Sequence, residues 1–85
     1  MQIENTLKKY TLSEADKVRL ENWHYHKPKG ETQQPQRYEQ INKATCAIAE
    51  MLMSYCPPGR QLSLALTALE ETRMWANNAI AMEKD

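Results

Sequence analysis

From residue 35 onward, apolar or small side chains recur at Tyr38, Ile41, Thr45, Ile48, Leu52 and Tyr55, spaced alternately three and four. That rhythm draws one stripe along a helix and predicts a helix from about Pro35 to Tyr55. Proline is tolerated in a first helical turn, so Pro35 suits the start. Pro57-Pro58-Gly59 then stops the helix and reverses the chain. Leu62, Leu66, Leu69, Arg73, Ala76 and Ile80 carry the same alternation onward and predict a further helix from about Arg60 to Met82. A connection this short makes the two helices antiparallel neighbours.

Upstream, Thr11-Leu12-Ser13-Glu14-Ala15-Asp16 reads as a helix start. Ser13 can accept from the amide three residues on, and Glu14 and Asp16 suit the positive helix end. A short helix is expected to about Asn22, preceded by ten weakly patterned residues that read as a frayed arm. Between them and the long hairpin, Trp23-His24-Tyr25-His26-Lys27-Pro28-Lys29-Gly30 is aromatic and basic. Pro28, Gly30 and Pro35 rule out a continuous helix there. The fold class is therefore all-α: a short N-terminal helix, an aromatic and basic loop, and a long two-helix hairpin. Its parts are an arm and short helix over 1–22, a loop over 23–34 and the hairpin over 35–85, one domain in all.

Leu64, Ala65, Ala68, Trp75 and Ala79 lie off the seam of the last helix, which is therefore apolar on a second side. An isolated hairpin leaves that side in water, and a partner chain is the simplest cover. Size points the same way. At 85 residues, with no Phe and an apolar share of 41% carried largely by Ala and Met, the core of one chain is thin.

Charge narrows the partners. Eleven basic residues balance eleven acidic ones, whereas grip on a long nucleic acid rests on a basic surplus. A small anion needs only two or three well-placed cations. No leader and no apolar run of membrane-spanning length is visible, so Cys46 and Cys56 read as free thiols in a reducing cytoplasm.

Two stretches carry candidate chemistry. In the first, Trp23 and Tyr25 offer faces on which a base can stack, and Lys27 and Arg37 offer cations for phosphate. Equally, the two rings can simply cap the open end of the hairpin. His24 and His26 lack the supporting ligands that a metal site requires. In the second, Arg60, Ser63 and Thr67 fall on one helical face, where they can present a cation and two hydroxyls to a phosphate. The alternative there is a solvated Arg60 with both hydroxyls bonded back to the preceding turn. Asn77 and Asn78, beside Trp75, are poor helix formers and suggest hydrogen bonding across an interface. Arg73, on the seam, calls for an acid such as Glu70 or a partner chain's carboxylate. No phosphate-cradling glycine loop, catalytic triad or metal cluster is legible, so no enzyme, metal or cofactor is expected.

The stretch from Trp23 to Ala81 resembles a family of phage helical-hairpin proteins that soak up bacterial immune messengers. Its named members are the first Thoeris anti-defence protein and the second anti-CBASS protein, and the chain looks closer to the Thoeris-type branch. The resemblance is carried by Trp23-His24-Tyr25-His26-Lys27-Pro28, Gln36-Arg37-Tyr38-Glu39 and Cys56-Pro57-Pro58-Gly59-Arg60. Its longest parts are Ser63-Leu64-Ala65-Leu66-Thr67-Ala68-Leu69-Glu70-Glu71 and Met74-Trp75-Ala76-Asn77-Asn78-Ala79-Ile80-Ala81. The chain departs from the pattern with Trp23 in place of Phe, a longer stretch between Pro28 and Arg37, and Gly59 in place of Ser.

The resemblance implies a homohexamer in the host bacterial cytoplasm that holds cyclic nucleotides between subunits without cleaving them. The ligands it implies are glycocyclic ADP-ribose isomers and cyclic di- and trinucleotides. By the same resemblance Trp23 or Tyr25 is a stacking platform, and Arg37, Arg60 and Lys27 are phosphate contacts. His26, Ser63 and Thr67 become hydrogen-bonding groups, while Leu64, Ala68, Met74, Trp75, Asn77 and Asn78 join subunits. The rival expectation is an adaptor hairpin that binds another protein through its second apolar side.

Overall fold

The computed structural model describes residues 7–23 and 34–83. Three helices account for most of them: α1 (Glu14–Trp23), α2 (Gln34–Tyr55) and α3 (Arg60–Ala81). Among the described residues there is no strand. α1 starts as its sequence requires, with the Asp16 amide donating to Ser13 Oγ at 3.1 Å. It ends at Trp23, one residue into the expected loop.

α2 and α3 form the antiparallel hairpin. Two cross-links show the register: Arg37 meets Glu83, and Asn42 meets Asn77. At the turn, Gly59 has φ of +152° and ψ of −170°, a region that side-chain-bearing residues rarely enter. A Cβ there would meet nothing within 4 Å. Backbone conformation rather than space therefore accounts for Gly59, where the family pattern suggests Ser.

Ten residues of helix are too few to persist alone, so α1 is held by what it touches. Trp23 buries against Ala49, Met53, Leu62 and Leu66, with Leu12, Leu20, Cys46, Leu52, Cys56 and Leu69 around them. Arg19 Nε donates to Glu70 of α3 at 2.9 Å. The arm before α1 is tied down as well, since the Tyr10 amide donates to the Ser54 carbonyl at 2.7 Å. These anchors seat α1 on α2, running opposite to it in direction, with Arg19 reaching across to α3.

The buried line of α2 differs from the expected seam. Tyr38, Asn42, Thr45, Ala49 and Met53 are buried, whereas Ile48 and Tyr55 are 41% and 40% exposed. Two physical causes account for this. A strict seven-residue repeat drifts around a straight helix by about 20° per heptad, so the stripe wanders off the contact line. Trp23 is also seated in the same buried cluster as Ala49, a residue small enough to lie beneath an indole. On α3 the expectation holds better: Leu62 and Leu66 are buried and Leu69, Arg73, Ala76 and Ile80 half-buried.

Candidate functional site

The structure divides the expected ligand residues between the two ends of the hairpin. Arg60 opens α3 beside the turn, while Arg37 lies at the other end, paired with Glu83. At 1.5 Å per residue the length of α3 sets these ends about 30 Å apart. No compact nucleotide bridges Arg37 and Arg60 within one chain. Tyr25, His26 and Lys27 lie outside the described residues.

At the turn end, Arg60, Ser63 and Thr67 are all exposed. On an ideal helix they fall within roughly 60° of one another. None of the three side chains makes a hydrogen bond or ion pair among the described residues, so the back-bonded alternative for the two hydroxyls is not what the structure adopts. Gly59 supplies no side-chain cap, which leaves first-turn amides of α3 open to an anion near the Arg60 guanidinium. Between α1 and this turn lies a crevice of roughly 150 Å³, lined in part by Ser13, Asp16, Arg19, Gly59 and Ser63. Ser63 thus borders both the crevice and the polar stripe.

Beside that stripe runs an apolar one. Leu64 is 56% exposed and Trp75 63% exposed, with Ala68 and Met82 in line along the same face. Met74 and Asn78 are exposed along the polar edge. Five of the six expected interface residues therefore stand on a face that this chain leaves uncovered. A chain covering the apolar stripe would bring its own side chains up to Arg60, Ser63 and Thr67.

The sixth, Asn77, requires a correction. It is 8% exposed, and its amide donates to Asn42 Oδ1 at 3.3 Å across the α2–α3 contact. The interface that this asparagine serves lies within the chain. Its helix-unfavourable character was the legible signal. Trp23 also differs from an open stacking platform. It is 2% exposed, and its indole N–H donates to Thr45 Oγ1 at 2.9 Å. Within the single chain it is a core residue at mid-hairpin rather than a cap on the open end.

Arg73 does not pair with Glu70, because Arg19 occupies that carboxylate. Its guanidinium carbon instead lies 5.7 Å from the centre of the Trp23 ring. Half-buried Cys46 has its thiol pushed up by burial and, to a lesser extent, by Glu50 one turn away. That favours the neutral thiol over a reactive thiolate. Among the described residues no group of His, Cys, Asp and Glu could hold a metal ion, and no helix is long and apolar enough to cross a membrane.

Neither a curated protein nor a solved structure matches the chain. The family model described as "Acb2/Tad1, hairpin domain" matches residues 16–81, which takes in all three helices except the first two residues of α1. With that match spanning most of the chain, and with the long antiparallel hairpin in place, the protein belongs to the Acb2/Tad1 hairpin family of phage immune-messenger sponges.

Proposed function

We propose that this protein is a non-catalytic sponge of the Thoeris-type branch that sequesters cyclic nucleotide immune messengers in the infected host's cytoplasm. Its ligands are glycocyclic ADP-ribose isomers and cyclic di- and trinucleotides. Held without cleavage, they no longer reach the effectors of Thoeris or CBASS defence. The observation that carries this reading is the Arg60–Ser63–Thr67 stripe, solvent-facing and without a side-chain partner among the described residues, beside the apolar stripe of Leu64, Ala68 and Trp75 in a chain of this family.

A sponge needs closure around its ligand and no turnover. Phosphate oxygens accept from Arg60 and from the hydroxyls of Ser63 and Thr67. Closure comes from further copies of the chain, in the family manner a hexamer, packed on the apolar stripe. Copies running in opposite directions bring the Arg37 end of one chain to the Arg60 end of another. That arrangement reunites the two halves of the expected site.

The test is binding followed by recovery. At a hundredfold excess over Kd a ligand adds about 2.7 kcal/mol to folding stability. For a chain of this size the melting temperature then rises on the order of 10 °C. Heating the complex should return the messenger with unchanged mass and full amount. Either no thermal shift with any glycocyclic ADP-ribose isomer, cyclic dinucleotide or cyclic trinucleotide, or a cleaved product, overturns the proposal. Arg60→Glu separates it from an adaptor role, since a sponge loses ligand and an adaptor is indifferent.

A further inference from the structure

We infer that Arg73 receives a phosphate of the bound nucleotide, and that Asn77 beside it accepts from one of the ligand's hydroxyls. The inference rests on the sponge reading for the identity of the anion.

Trp23 is buried and fixed by its hydrogen bond to Thr45. Arg73 lies over that ring at 5.7 Å, so the guanidinium is held against a rigid surface. A guanidinium held at an aromatic ring by its charge uses none of its N–H groups for that contact, so they stay available to oxygens. No carboxylate among the described residues takes that fork: Glu70, one turn back, is spent on Arg19. Arg73 Nε is buried without a hydrogen-bond partner. Such an orphaned donor is rare in a folded protein and calls for an explanation.

One turn further along α3, a second orphan of opposite character stands on the same face. Asn77 is 8% exposed, its amide is used by Asn42, and its Oδ1 is buried with no donor. An unmet cation and an unmet acceptor together describe the complement of a sugar phosphate, which brings anionic oxygens and a hydroxyl donor at once. A partner subunit's carboxylate would satisfy Arg73 and leave Asn77 unmet. Arg73 as a residue is half-buried although its Nε is enclosed. Reaching the two enclosed atoms requires the Arg73 head to shift along the indole when the ligand binds.

The experiment uses the full chain with Arg73→Gln and Arg73→Lys, both checked for wild-type circular dichroism. Calorimetry with 3′,3′-cyclic GMP–AMP, cyclic tri-AMP and a glycocyclic ADP-ribose isomer should show at least tenfold weaker binding for Arg73→Gln. Arg73→Lys, which keeps the charge and loses the fork, should fall between. In parallel, the Arg73 Nε–H resonance of the wild type, assigned by its loss in Arg73→Lys, should shift saturably with inorganic pyrophosphate. A pyrophosphate shift in a protein that binds none of the nucleotides would defeat the sponge reading and leave the anion site standing. Unchanged nucleotide affinity in Arg73→Gln, an unmoved resonance, or a fall in assembly mass with affinity per folded chain intact would overturn the inference.

Discussion

Trp23 offers the sharpest test of how this small chain holds together. Its indole is almost wholly enclosed by side chains from α2 and α3, and its N–H is met by Thr45. Trp23→Ala removes the whole ring from a site with no slack, a change that costs about 3–5 kcal/mol in comparable cores. Stability of about 0.05–0.15 kcal/mol per residue puts the whole domain at roughly 4–13 kcal/mol, so this variant should lie close to unfolding. Trp23→Phe keeps a ring but loses the hydrogen bond, about 1 kcal/mol, and some apolar area, about another 1 kcal/mol. Thr45 Oγ1 still donates to the Ile41 carbonyl at 2.8 Å, so no hydroxyl proton is orphaned and the low end of that sum applies.

Urea titration followed by circular dichroism measures both values, at one fixed protein concentration because assembly would raise the midpoint. In a Trp75→Phe background, fluorescence reports Trp23 alone and should be blue-shifted and poorly quenched by acrylamide. A Trp23→Ala midpoint equal to wild type would refute the buried placement. A well-folded Trp23→Phe that loses all messenger binding would return the ring to the role of stacking platform.

Asn77→Leu alone should cost about 1–3 kcal/mol by stranding Asn42, whereas Asn77→Leu with Asn42→Leu should recover most of it; thermal melts of the three variants decide. Trp75→Glu with Leu64→Glu should lower the assembly mass in sedimentation while helix content per chain is kept, and an unchanged mass would remove the apolar stripe from the interface. Burial holds Cys46 protonated, so with Cys56→Ser its alkylation near pH 8 should be slower folded than in denaturant, and equal rates would contradict that burial. Because the folded thiol pKa lies above the unfolded one, its contribution to stability is present at neutral pH. It is lost as pH rises through the folded value. Gly59→Ala should destabilise by about 1–3 kcal/mol through its positive φ, read as a lowered urea midpoint.

Local rules were enough for the helices and the turn. Ser13 announces its cap, Pro57-Pro58-Gly59 announces the reversal, and Leu62 and Leu66 announce the buried side of α3, because capping, chain reversal and helical period act over a few residues. The family, too, was legible, since its pattern is written in consecutive residues such as Ser63 to Glu71. The exposed stripe of Leu64 and Trp75 could be read for the same reason.

What tertiary structure decided are the choices that depend on distant chain segments. Trp23 and Ala49 came together in one buried cluster, and Arg19, fifty-one positions from Glu70, became the partner of that carboxylate where Arg73 was expected. Asn77 turned inward because Asn42 waits across the hairpin. Periodicity tells which residues can share a face, but only the packing of the three helices determines which face is buried and which charges remain unmet.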